Sequence, residues 1–180
     1  PEFLEDYLDD AFLFFFLDKK NKYLDYSFER SSLYETKQLS EDEINKILNE
    51  IYWVSTYVVK GIARNDIIYS EFMISNPIKN AFIKLLKQKI LIERELDSLS
   101  FGKLDKDILQ YITDKDKLLK IFSNKSLKDI ETNLRFLLDE TNQMAKYISI
   151  NRKLNLNQGE YQSAMKFMNN ILSNSHQDFN

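Results

Sequence analysis

The stretch Ser40-Glu41-Asp42-Glu43-Ile44-Asn45-Lys46-Ile47-Leu48-Asn49-Glu50-Ile51-Tyr52-Trp53-Val54-Ser55-Thr56-Tyr57-Val58-Val59-Lys60-Gly61-Ile62-Ala63-Arg64 decides the fold class. Ser40 followed by Glu43 is a capping box, in which each side chain satisfies a backbone N–H that the first helical turn leaves without a partner. Behind it Ile44, Ile47, Leu48, Ile51, Val54, Val58 and Ile62 recur at the spacing of one buried helical face. The spacing predicts a helix that runs to about Arg64. A second stripe lies on the same helix: Glu50, Trp53, Tyr57, Lys60 and Arg64 also recur every three or four residues. At about 100° per residue it stands more than a quarter-turn from the line through Ile51 and Val58.

The helical signal continues downstream. A second segment covers Asp66 to about Leu96, with a kink expected near Asn76-Pro77 because proline brings no N–H to the ladder. Ser100-Phe101-Gly102 ends it. Shorter helices are expected at Asp105–Ile112 and Asp114–Phe122, and a long one from Ser126 to roughly Ile150 with Ile130, Leu134, Leu137, Leu138, Met144 and Ile148 inward. Asn157 and Glu160 cap a last helix to about Leu172, before a polar tail. Upstream, Glu2–Asp9 suits a short helix. Ala11–Leu17 is an unbroken apolar run that fits either a strand buried on both faces or a buried helical turn, so residues 11–28 stay open between strand and helix. In the strand case Lys22–Phe28 pairs back as a hairpin. The expected fold class is therefore mainly α: a bundle of about five helices preceded by a short helix and a β-hairpin or strand segment. Residues 1–35 form one unit and 36–180 the helical domain.

Composition bounds the function. At 180 residues, 43% hydrophobic and 13% aromatic, the chain has the size and apolar content of one cored domain. Three Gly and two Pro argue against a many-stranded barrel or sandwich. A net charge of −3 does not favour nucleic acid or an anionic membrane as partner. The seven apolar residues Ala11–Leu17 fall far short of the roughly 20 that span a bilayer. No basic leader opens the chain and no Cys is present, which together lead us to expect a cytoplasmic protein. The one His is His176, in the tail, so His-based acid–base catalysis, a Ser-His-Asp arrangement and a zinc site lack their parts. No P-loop or Gly-rich dinucleotide turn is present. The stripe on the first helix can grip a polyphosphate at its basic end and a polar ring or cation at its acidic end. The competing reading is a solvated face with local ion pairs and cations placed to suit the helix dipole.

Asn49-Glu50-Ile51-Tyr52-Trp53-Val54-Ser55-Thr56-Tyr57-Val58-Val59-Lys60-Gly61-Ile62-Ala63-Arg64-Asn65-Asp66-Ile67-Ile68 closely resembles a signature of the bacterial aminoglycoside 6-adenylyltransferases, the streptomycin-modifying group. Glu5-Asp6-Tyr7 with Leu17-Asp18-Lys19, and Leu99-Ser100-Phe101-Gly102-Lys103 with Tyr111-Ile112, extend the resemblance across the chain. In that family a nucleotidyltransferase domain comes first. Its G-S…D-x-D and a third Asp hold the Mg²⁺ ions that activate ATP for transfer of AMP to a drug hydroxyl. The present chain has no such carboxylate set. The resemblance therefore implies the C-terminal helical part of an enzyme that needs ATP and Mg²⁺, inactive alone, with an N-terminal nucleotidyltransferase domain as its partner. It implies no catalytic residue here; Lys60, helped by Arg64, contacts phosphate. Glu50 faces the drug's cations, and Trp53 and Tyr57 wall them. Asn45-Lys46 stand where the family has D-D, and Phe72-Met73 where it has D-H, with Glu71 the adjacent acid on the drug side; the substrate stays open. A stand-alone helical interaction module, or an antitoxin-like partner of a separate nucleotidyltransferase chain, is the alternative. The aromatic run near residues 3–28 leads us to expect self-association of the isolated chain as a homodimer.

Overall fold

The computed structural model describes residues 34–157 and 159–175. The expected helix at Glu2–Asp9, the Ala11–Leu17 run, the hairpin to Phe28, the association near residues 3–28 and His176 all lie outside those residues. The fold is mainly α, as expected. In order come strand β1 (Glu35–Lys37), helices α1 (Glu41–Ala63), α2 (Ile67–Met73) and α3 (Lys79–Glu93), strand β2 (Ser98–Ser100), and helices α4 (Lys115–Leu119), α5 (Leu127–Arg152) and α6 (Gly159–Ser175).

The capping box opens α1: the Glu43 N–H donates to Ser40 Oγ at 3.3 Å and the Ser40 N–H to Glu43 Oε2 at 2.8 Å. Three acids in the first turn and Lys60 in the last complement the helix dipole. Ile44, Ile47, Leu48, Ile51, Val54 and Val58 are buried against α3, α5 and α6. Each such side chain contributes about 1.5–3 kcal/mol by leaving water. Asn65 then takes a left-handed φ of 59°, which its short polar side chain tolerates, and the Asp66 carboxylate accepts the Tyr69 N–H at 3.0 Å to start α2. Gly61 allows this return. A Cβ there would collide with Ser70 Oγ and come within 3.0 Å of the Tyr69 ring.

The ladder is interrupted where Pro77 was expected to disturb it. Pro77 sits in a π-helical turn, Ile74–Ile78, which joins α2 to α3. The wider turn accommodates a residue with no N–H to donate and a ring that crowds the preceding turn.

β1 and β2 were not expected. They pair antiparallel in the register Glu35↔Ser100, Thr36↔Leu99 and Lys37↔Ser98. Three residues are too few to show alternation. The buried Gln88 amide holds β1 to α3, accepting the Leu39 N–H at 2.8 Å and donating to the Lys37 carbonyl at 3.0 Å.

The helix expected over Asp105–Ile112 is instead a pair of 3₁₀ turns, Lys103–Asp105 and Ile108–Tyr111. Leu104 and Asp105 adopt positive φ, 56° and 57°, which stops an α-helix before it can propagate. The next helix is short as well, since α4 tightens into a 3₁₀ turn at Lys120–Phe122. Helix α5 follows the expectation closely. Ser126 caps it by accepting the Asp129 N–H at 3.1 Å, and all six residues assigned inward are buried.

Helix α6 lies along α1 in the same direction. Asn45 near the start of α1 bonds the backbone of Asn155 and Asn157, Tyr52 meets Tyr161, and Lys60 meets Phe167. No described helix is long and apolar enough to cross a membrane.

Candidate functional site

The long face of α1 presents Glu50, Trp53, Tyr57, Lys60 and Arg64. Trp53 is 59% exposed. Its ring meets Tyr57 edge-on, with centroids 5.4 Å apart at 60°. Tyr57 is half-buried against the core, so the pair is anchored at its base. The Lys60 ammonium lies 5.6 Å from the Tyr57 ring centroid and 5.8 Å from that of Phe167 on α6. The Arg64 guanidinium lies 5.6 Å from the Tyr69 ring on α2. Among the described residues neither cation, nor Glu50, has an ion-pair partner. The local ion pair that α1 does carry, Lys46 with Asp42 at 2.6 Å, stands outside the stripe, near the start of the helix.

Glu71 is elsewhere in its bonding. Its carboxylate accepts from Ser75 Oγ and from Asn124 Nδ2, the latter at 2.6 Å, and faces the Lys79 ammonium at 3.9 Å. Lys79 is 4% exposed, donates to Ser75 Oγ at 3.0 Å and lies 5.4 Å from the Phe122 ring centroid. Asn133 closes the network by donating to Asn124 Oδ1 at 2.5 Å and to the Lys120 carbonyl at 3.2 Å. Burial lowers the Lys79 pKa from the ordinary lysine value, and the Glu71 charge opposes that shift. The structure thus brings Trp53, Tyr57 and Lys60 into contact, places Arg64 on Tyr69, and leaves the Glu71 carboxylate inside a junction of α2, α3 and α5.

The Asn45 amide both donates to the Asn155 carbonyl at 3.4 Å and accepts the Asn157 N–H at 2.9 Å, a pairing that a carboxylate could not complete. Phe72 and Ile68, 58% and 82% exposed, form an apolar crest on α2, next to the flank that carries Tyr69.

Behind the stripe, burial pushes up the Tyr52 phenol pKa, with smaller contributions from Glu160 and Tyr161. It remains neutral and serves as packing. The Tyr161 hydroxyl donates to Asp139 Oδ1 at 2.6 Å, and that bond raises its pKa first of all. Phe167 and Tyr69 escaped sequence reasoning. Each comes from a different helix, and no spacing along α1 reports them. Among the described residues no three acidic, His or Cys side chains gather to hold a metal ion.

Comparison with known proteins adds an independent finding. A family model described as streptomycin adenylyltransferase matches residues 2–171. An aminoglycoside 6-adenylyltransferase of Staphylococcus aureus is 26% identical over 171 residues, 94% of this chain and 58% of the relative. An enzyme of the same description from Bacillus subtilis (strain 168) is 27% identical over 135 residues, 72% of this chain and 47% of the relative. The crystal structure of an aminoglycoside 6-adenyltransferase from Bacillus subtilis superposes with a TM-score of 0.70 at 23% identity, over 77% of this chain and 53% of that one. At that identity it is the fold that is shared. The chain spans about half the length of the curated relatives it matches.

Proposed function

The chain belongs to the streptomycin adenylyltransferase family, and from that premise we propose that its helical body supplies nucleotide and drug contacts for transfer of AMP from ATP to an aminoglycoside hydroxyl. In such a transfer the hydroxyl oxygen bonds to the α-phosphorus and gives up its proton to solvent, the bond from that phosphorus to the bridging oxygen breaks, and pyrophosphate leaves with that bond's electron pair. Lys60, with Arg64 one turn away, meets the departing phosphates. Glu50, at the far end of the stripe, attracts the cationic groups of the drug, and Trp53 and Tyr57 give its rings an apolar wall. The observation that carries this reading is the Lys60 ammonium, set beside two aromatic rings yet without a carboxylate partner among the described residues.

The described residues do not fit the Mg²⁺ that such enzymes use, so no step is assigned to a metal on this chain. The carboxylates for it belong to a nucleotidyltransferase domain carrying G-S…D-x-D, the partner this reading requires. The aminoglycoside itself and a cytoplasmic location are parts of the same proposal. The family match over residues 2–171 favours a transferase part over a stand-alone interaction module.

The test is direct. The 180-residue chain, given ATP, Mg²⁺ and streptomycin, is expected to transfer no AMP; joined behind a nucleotidyltransferase domain of the family, it is expected to support transfer. Turnover by the chain alone that is lost in Lys60→Ala would overturn this division of labour.

A further inference from the structure

Lys60 and Arg64 are neighbours on one helical face, and like charges at that spacing repel by a few tenths of a kcal/mol. Acidic side chains commonly relieve such repulsion. Here the relief comes from rings: Phe167 of α6 and Tyr57 flank Lys60, and Tyr69 of α2 flanks Arg64. The choice has a chemical consequence. A carboxylate partner fixes an ammonium but occupies it, and an incoming anion must then displace that partner. The negative face of an aromatic ring also attracts the ammonium, yet leaves its N–H groups and most of its field unspent.

We propose that Phe167 is a positioning residue for anion binding: from helix α6 it holds the Lys60 ammonium against Tyr57, where it meets a polyphosphate. The inference rests on the assignment of Lys60 to phosphate made above. Phe167 is suited to the task because it is only partly buried, packing on the core at one edge and meeting Lys60 with its ring. The parallel course of α1 and α6 makes the contact available. From Tyr52–Tyr161 to Lys60–Phe167 the two helices advance in the same direction, so a residue late in the chain reaches the basic end of α1. Tyr69 does the same for Arg64, across the close approach that Gly61 permits.

The experiment uses the 180-residue chain and inorganic tripolyphosphate as probe, followed by NMR on the Lys60 ε-methylene. In the free protein that methylene is expected upfield of other lysines, shifted by the two ring currents. Phe167→Leu keeps the apolar volume and removes the ring. It is expected to reduce the upfield shift and to weaken tripolyphosphate binding by about two- to fivefold, the scale of one exposed cation–π contact. Phe167→Tyr, which restores a π face, is expected to recover both. A thermal melt of each variant separates lost packing from lost positioning, and Tyr57→Leu provides the same readout from the other ring. If Phe167→Leu binds tripolyphosphate as the parent does while Lys60→Gln does not, the positioning role is wrong and the phosphate assignment stands. If Lys60→Gln also binds as the parent does, or the parent does not bind, the phosphate assignment itself falls and takes this inference with it.

Discussion

The α1 stripe and the Glu71–Lys79 junction hold similar side chains and use them in opposite ways. At the junction each charged or amide group named has a protein partner, and the ammonium is almost wholly withdrawn from water. On the stripe Lys60, Arg64 and Glu50 are exposed, have no ion-pair partner among the described residues, and the two cations rest on aromatic rings. A satisfied, partly buried network spends its electrostatics on fixing one packing arrangement. An exposed cation on a ring keeps its charge for something else. Both regions lie within one continuous fold, so the difference comes from partners and not from residue types.

The largest expected effect belongs to the stripe. In an enzyme with its nucleotidyltransferase domain present, Lys60→Ala is expected to lower kcat/KM by about 10²-fold, the scale of losing one preorganised charge-stabilising donor. The melting temperature is expected to change little, since an exposed helical lysine contributes only a few tenths of a kcal/mol. Unchanged kinetics with a clear loss of stability would erase the contrast between the two regions.

A reversed pattern is expected at the junction. Glu71→Ala leaves Ser75 and Asn124 without their acceptor and Lys79 without its nearest counter-charge. A loss of about 1–3 kcal/mol in unfolding free energy is expected, measured by urea titration. Tripolyphosphate binding by the stripe is expected to persist. If instead stability held and aminoglycoside binding by the enzyme with its nucleotidyltransferase domain fell, Glu71 would act as a drug-facing acid.

The smallest effect is a dependence on pH. Lys79 has a folded-state pKa below that of an unfolded lysine. Below the folded value the lysine is charged in both states, and the burial cost is fully present. As pH rises from that value toward the ordinary lysine value, the native state releases the proton first, so unfolding takes up a proton and stability rises. Lys79→Met removes this term. The stability difference between parent and variant is therefore expected to move in favour of the parent over that alkaline window; a flat difference would show that Lys79 titrates as a solvated lysine does.

Much of this fold was legible where periodicity was long and the ends were capped. Ser40 with Glu43 marked the start of α1, and the inward residues of α1 and α5 followed from spacing. Legibility failed from Lys103 to Tyr111, where short 3₁₀ turns and two consecutive positive-φ residues leave no period to detect. It failed also at β1 and β2, whose three-residue pairing is created by chain segments far apart in sequence. The candidate site divides along the same line. Trp53, Tyr57 and Lys60 share a helix and could be grouped by spacing; Phe167 and Tyr69 approach them only once α6 and α2 have packed.

The π turn at Ile74–Ile78 has a consequence for rotational phase. Ser70, Ile74, Ile78 and Phe82 are all buried and stand at a constant interval of four residues. An unbroken α-helix advances by about 400° over four residues, so three such intervals would carry Phe82 roughly 120° away from the line of Ser70. The extra residue of the π turn absorbs most of that angle. Helix α3 can keep its apolar side toward the core while α2 keeps Ser70 against Gly61 and Tyr69 beside Arg64. The azimuth of α2, and with it the support under Arg64, is set by one residue of slack accommodated at Pro77.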